Sequence, residues 1–413
     1  MRKVVPAITA LLLALLSGCA GMTGGNSVSS VSDTTPPAKV SSFSAAQDDG
    51  KIVLSWNAPG SPDYMGALVR RGTAGYPVSP AAPDTDDDKI VYRGSNTSYT
   101  DTGLRHGKTY YYGAFSYDEV PNYSPAARVS AESIYATFTF IAIPDTQYLS
   151  LGLPALFDTT IQWIADNADG ENTVFVLHEG DITHNNTDDE WANAAASMGI
   201  LDGVVPYALA VGNHDMDGGD TSKFNQYFPV SKYESLPTFG GVCESGKLDN
   251  SFHLFSAGGT DWMAVSLEYD PPDEVLDWAS QVAEAHPDRR VIVVTHAYLN
   301  HTNERTSIGE NIWNKFVKKH ANMLFVFNGH YTTGEAGRLV SDGDNGNKVY
   351  QMFANYQTRR AGGLGYLRIV KLNPSTGGVS VKTYSPYAQD YETDPDNEFE
   401  FEDVDFGPLE SGG

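Results

Sequence analysis

Thr173-Val-Phe-Val-Leu-His-Glu-Gly-Asp181 opens as an apolar, β-branched run and halts at Gly180-Asp181. Its first five residues read as a strand. The pattern recurs on either side. Thr137-Phe-Thr-Phe-Ile-Ala-Ile143 stops at Pro144-Asp145, and Pro206-Tyr-Ala-Leu-Ala-Val211 stops at Gly212-Asn213-His214-Asp215. Later, Arg290-Val-Ile-Val-Val-Thr295 ends at His296, and Met323-Leu-Phe-Val-Phe327 ends at Gly329-His330. Helical periodicity fills Leu153–Asn167, about Asp273–His286 and about Glu310–Lys319. Thr187-Asp-Asp-Glu190 is a capping box that opens a further helix running past Met198. Strand, loop and helix in this succession predict an α/β layered domain over residues 136–386.

The strand ends carry the chemistry. Each of the five strands gives way to a residue type that ligates metals: Asp145, Asp181, Asn213, His296, His330. Ligands bind beyond the carboxyl ends of strands in open α/β sheets, so the five are expected to converge. Two carboxylates, an amide oxygen and two imidazoles suit Mn, Fe or Zn better than a Ca cage. One Asp can bridge two cations held ~3.5–4 Å apart, a spacing that clamps both oxygens of an in-line displacement.

This order resembles the calcineurin-like metallophosphoesterases. Their pattern is Asp-x-His, Gly-Asp, Gly-Asn-His-Asp/Glu, a lone His, then Gly-His-x-His. The matching stretches are Asp145-Thr-Gln147, Gly180-Asp181, Gly212-Asn213-His214-Asp215, Thr295-His296 and Gly329-His330-Tyr331-Thr332. The resemblance implies one or two divalent metal ions (Mn, Fe or Zn), a small phosphorylated substrate, and hydrolysis of a phosphate mono- or diester by metal-bound water. It also implies roles. Asp181 bridges; Asn213, His296 and His330 complete one metal site; His214 stands beside the phosphate as proton donor or oxyanion stabiliser, oriented by Asp215. The other site departs from the family, with Gln147 and Thr332 where histidines are expected. Asp145, Asp181 and the Gln147 oxygen would form a harder, weaker set, with His184 a candidate substitute. His178, His253, His286, His301 and His320 read as structural. Asn355-Tyr-Gln357 and Arg359-Arg360 either line the pocket, with Arg binding phosphate, or form a surface loop.

The flanks divide the remaining chain. At 413 residues, two or three domains are expected. Met1-Arg2-Lys3, the apolar Ala7–Leu16 stretch and Leu16-Ser17-Gly18-Cys19 resemble a lipoprotein signal peptide (1–19), its lipobox placing a lipid on Cys19. That implies an extracytoplasmic, lipid-anchored protein of the bacterial cell envelope, at the outer membrane if the host has one. Residues 20–37 are a Gly/Ser/Thr tether. Short alternating strands at Lys51–Trp56, Ala67–Arg71 and Thr109–Phe115 predict an all-β sandwich over 38–132. With Pro36-Pro37, Trp56, Leu104, Tyr110, Tyr112 and Asn122-Tyr-Ser-Pro125 it resembles a fibronectin type III domain, a fold that contacts glycan or protein. Residues 390–410 hold ten acids and no Lys or Arg, so 387–413 reads as a solvated acidic tail. A net charge of −25 argues against bulk nucleic-acid binding, though a bound cation can reverse the field locally for a small phosphate ester. The competing functional class is a non-catalytic surface-binding lipoprotein with a degenerate enzyme domain.

Overall fold

The computed structural model describes residues 33–407, apart from 49, 105–107, 121 and 135–136. The expected signal peptide with Cys19, and most of the tether, lie outside the described residues.

Residues 40–132 form two antiparallel sheets. One orders Ser41–Asp48, Lys51–Asn57 and Ser98–Asp101; the other orders Asp88–Gly94, Gly66–Gly72, Thr109–Tyr117 and Ala127–Glu132. Alternation along Lys51–Asn57 turns Ile52, Leu54 and Trp56 inward. They meet Ala67, Val69, Leu104, Tyr110 and Tyr112 in a shared apolar cluster. The buried Tyr112 hydroxyl donates to Asp101 Oδ2 at 2.8 Å, and Arg71 Nη1 donates to Asp101 Oδ1 at 2.8 Å. A buried hydroxyl thereby keeps a partner.

From Phe138 onward two seven-stranded sheets stack face to face. The first runs Tyr207–Leu209, Thr173–His178, Phe138–Ile143, Leu367–Asn373, Gly378–Ser385 and Asp390–Glu392, with Phe399–Phe401 also paired to Gly378–Ser385. Its first three strands are parallel. The second runs Phe239–Val242, Ser251–Ala257, Thr260–Leu267, Arg290–Thr295, Met323–Asn328, Lys348–Ala354 and Ala336–Asp342, its central four parallel. Phe140, Phe175, Trp262, Ile292 and Phe325 fill the space between the sheets. Their strand neighbours point outward: Ile141 and Val176 meet Phe157, Ile161 and Trp191 of the helices Pro154–Glu171 and Asp188–Met198. Met263 and Val293 meet Leu276 and Ile312 of the helices Asp273–Ala285 and Ser307–Lys315. Both faces of every central strand are thus buried, which is why those strands read as unbroken apolar runs.

The five strands ahead of the polar residues lie in two sheets, three in the first and two in the second. Convergence comes from stacking two sheets with their carboxyl ends at one edge. The acidic stretch, expected as a solvated tail, is built into the domain through residue 407. Phe399 pairs with Val381 and Phe401 with Val379. Glu400 between them is exposed while both rings are buried. Phe406 and Val404 join the same core, and Arg290 pairs with Asp405 at 2.8 Å. Period-two alternation places the acids on the solvent face, so the charge run conceals a strand.

Candidate metal centre

The strand ends meet as side chains. Ligand atoms of Asp181, His296 and His330 all lie within 4.8 Å of one another. Their common focus is His296 Nε2, which stands 3.2 Å from Asp181 Oδ1, 3.1 Å from Asn213 Oδ1 and 3.0 Å from His330 Nδ1. His296 Nδ1 lies 2.9 Å from the Glu179 carbonyl, which can only accept, so the ring proton sits on Nδ1. A neutral His296 therefore aims a bare lone pair at two oxygens and another imidazole nitrogen. One proton on Nε2 would satisfy one of these three; a cation would satisfy them all. Burial works against charge on His296, yet Asp181 and Asp145 together push its pKa up to about 10. His330, desolvated and facing that charge, is pushed down to about 4. Burial also works to raise the Asp181 carboxyl, but His296, through charge and hydrogen bond, holds it below its ordinary range. The cluster calls for one buried positive charge, and its donors fit a divalent transition metal.

Glycines permit this crowding. A Cβ on Gly212 would strike Asp181 Oδ1, and one on Gly329 would strike Asp145 Oδ1. Bare backbone is needed where the chain passes against these carboxylates. Asp181 and His330 themselves adopt left-handed conformations, φ 46° and 80°. For non-glycine residues this is strain of the kind that gathers at functional sites.

His214 borders the cluster. Its backbone N–H donates to Asp181 Oδ1 at 2.9 Å, and its Nδ1 donates to the His184 carbonyl at 2.7 Å. The imidazole stacks on that of His184, centroids 5.0 Å apart. Asp215, expected to orient His214, has a different task. Its carboxylate accepts from the backbone N–H groups of Gly212, Ile182 and Thr183 at 2.9, 3.0 and 2.8 Å. It ties the Gly180-Asp181 turn to the Gly212 turn, and the orienting group for His214 is the His184 carbonyl, which no side-chain pattern announces.

Beyond Asp181 the second face differs from expectation. Asp145 is present, its Oδ1 accepting from the His330 backbone N–H at 3.0 Å. Gln147, expected to offer an oxygen, turns Nε2 toward Asp181 Oδ2 at 3.1 Å while its Oε1 meets His184 Nδ1 at 2.5 Å. Thr332 is exposed. Asn355 and Gln357, of the two readings left open for them, are buried against Asp145 at 2.9 and 3.0 Å. Arg359 is committed elsewhere, to Glu335 and Glu392, both at 2.5 Å, and Arg360 is exposed. His178 and His253 are buried structural groups, as expected. Glu179 went unnoticed in the sequence: its main chain orients His296, and its side chain is fully buried with neither carboxylate oxygen bonded.

Residues 138–332 match the family described as calcineurin-like phosphoesterases, and this segment is a calcineurin-like metallophosphoesterase domain. The family and the donor set together imply divalent metal ions. Among curated proteins, the chain is 36% identical over 268 residues to the uncharacterized protein YvnB of Bacillus subtilis (strain 168). The match takes in 62% of this chain and 21% of YvnB, so the chain spans about a fifth of that relative. Among solved structures, the purple acid phosphatase PPD1 of yellow lupin (Lupinus luteus) is similar at 11% identity and TM-score 0.43, over 89% of this chain and 74% of that one. PhoD is similar at 14% identity and TM-score 0.38, over 91% and 93%. An Fn3-like protein of Clostridium thermocellum aligns at 25% identity and TM-score 0.18, over 23% of this chain and 92% of that one.

Proposed function

We propose that the chain is a metal-dependent phosphoric ester hydrolase acting on a small phosphate mono- or diester at the bacterial cell envelope. One observation carries the reading: an oxygen of Asp181, an oxygen of Asn213 and a nitrogen of His330 crowd around His296 Nε2, with His214 bonded to the same carboxylate. A metal held there would polarise the phosphoryl group and lower the pKa of water toward ~7. Asp181, Asn213, His296 and His330 would hold it. His214, anchored through Nδ1, would present Nε2 to the phosphate or leaving group. Asp215 keeps the two turns in place, and the Glu179 carbonyl keeps the His296 tautomer. Purified protein with added Mn²⁺ should hydrolyse chromogenic phosphate mono- or diesters. Absence of turnover across such a panel, with the metal bound, would favour the non-catalytic binding reading.

The location and the flanking domain belong to the same proposal. The lipobox supports a lipid anchor on Cys19, and Cys19→Ser should move the protein from the membrane fraction to the soluble one. Among the described residues no helix is long and apolar enough to cross a membrane. The three-plus-four strand arrangement supports a fibronectin type III-like spacer, able to contact glycan or protein. A chain starting near Ala131 should keep its metal and its turnover of small esters.

A further inference from the structure

The far side of the Asp145–Asp181 pair is filled by three carboxamides, of which Asn355 is held in orientation by a backbone N–H and Gln147 and Gln357 by the carboxylates and by each other. Asn355 Oδ1 accepts the backbone N–H of Gln357 at 3.0 Å. Its Nδ2 is therefore the atom facing Asp145 Oδ2, at 2.9 Å. Gln357 Nε2 donates to the same oxygen at 3.0 Å, and Gln357 Oε1 accepts from Gln147 Nε2. Gln147 Nε2 also donates to Asp181 Oδ2 at 3.1 Å, while its Oε1 accepts from His184 Nδ1 at 2.5 Å. The bonds run in one direction, from His184 through Gln147 and Gln357 to Asp145. Every member from Gln147 to Asp145 is buried.

Each carboxylate is thereby divided. Oδ1 of Asp181 serves the histidine side and Oδ1 of Asp145 takes the His330 backbone N–H. Both Oδ2 atoms face carboxamide donors. A second cation shared by this pair, ~3.5–4 Å from the first, would have to displace those N–H groups and leave buried carboxamides without partners. Carboxamide N–H groups are neutral donors that stabilise a buried carboxylate through charge-assisted hydrogen bonds. They do the work of a counter-charge without binding metal.

We infer that this is a one-metal centre, in which the Gln147–Gln357–Asn355 carboxamide clamp occupies the position of a second cation. The inference rests on the metal-dependent reading above but goes beyond it, because it fixes how many cations the site accepts and which residues refuse the second. The experiment counts metal directly. Full-length protein is saturated with Mn²⁺, freed of excess by gel filtration, and examined by elemental analysis and low-temperature electron paramagnetic resonance. The expected result is one Mn²⁺ per chain with the uncoupled six-line signal of an isolated ion. Gln147→His removes a donor to Asp181 and supplies an imidazole, so it should admit a second ion and give an exchange-coupled spectrum. Two coupled ions in the wild type would overturn the clamp and leave the hydrolase reading intact. A folded Gln147→His protein that still holds one ion would overturn it as well, and should that variant fail to fold, the wild-type count decides. Protein that retains no Mn²⁺ at all would overturn both.

Discussion

His214 Nδ1 donates to the backbone carbonyl of His184 at 2.7 Å, and the two rings lie nearly parallel, 16° apart. The ring is thus fixed with Nε2 as the one nitrogen left for proton transfer. His214→Ala should lower kcat by roughly 10²–10⁴, the range for losing a positioned acid or base. Metal content should stay constant, since the bond to Asp181 comes from the backbone N–H, which alanine keeps. Turnover and metal analysis on one preparation check this. Metal lost together with activity would assign His214 to ligation instead.

Asp181→Asn should leave a folded protein that no longer retains metal. Asn keeps the shape but loses the charge that faces His296 and the His214 N–H. The check is elemental analysis after dialysis, with circular dichroism as the control for folding. Metal bound as tightly as in the wild type would remove Asp181 from the ligand set.

Asp215→Ala should be felt in stability more than in chemistry. The carboxylate satisfies three buried backbone N–H groups and the Thr183 hydroxyl, the last at 3.0 Å. Orphaning that many donors should cost about 3–5 kcal/mol, read as a lower urea midpoint at unchanged slope. An unchanged midpoint would show that water replaces the carboxylate.

Acid should weaken the fold through His253. Burial among Phe175, Tyr233 and Phe239 pushes its pKa down to about 4. The folded value lies below the ordinary ~6.5, so the unfolded chain binds more protons between about pH 4 and 6.5. Its contribution is complete above ~6.5 and falls as pH drops, by up to ~1.4 kcal/mol per unit. The raised Asp145 and Asp215 carboxyls, both near 7 through burial and the Asp181 charge, act with the opposite sign. The wild type is therefore compared with His253→Phe. Between pH 7 and 5 the wild type should lose ~2 kcal/mol more than the variant in urea titrations. Equal losses would mean that His253 charges within the fold.

Ending the chain at Pro386 should abolish folding. Phe399, Phe401, Val404 and Phe406 are buried in the core between the sheets. At ~1.5–3 kcal/mol each, their burial rivals the whole stability of a typical domain, ~5–15 kcal/mol. A truncated protein with a cooperative melt would show the C-terminal strands to be accessory.

The elements easiest to read in the sequence were those buried on both faces. Arg290–Thr295 appears with the predicted limits because unbroken apolar runs leave little choice of structure. The capping box at Thr187 and Glu190 is likewise present in full. Phe399–Phe401 was obscured because its solvent face is acidic at every second position, and composition averages away alternation. The division of ligand strands between two sheets was hidden for another reason: strand order is a long-range property. The role of Asp215 and the direction of the Gln147 amide depend on backbone N–H groups and on partners as distant as Gln357, which local patterns do not encode.

The two stacked sheets share no strand pairing among the described residues. They are held together by apolar packing and, at one edge, by ligands drawn from both: Asp181 and Asn213 from the first, His296 and His330 from the second. A metal held there would be a staple as well as a reagent. Binding only the folded chain, it would add ~2.7 kcal/mol at a hundredfold excess over its Kd. Chelation should then loosen the ligand-bearing edge first, where amide hydrogens would exchange faster than those beneath Trp262, and the melting temperature becomes a gauge of how much metal the protein carries.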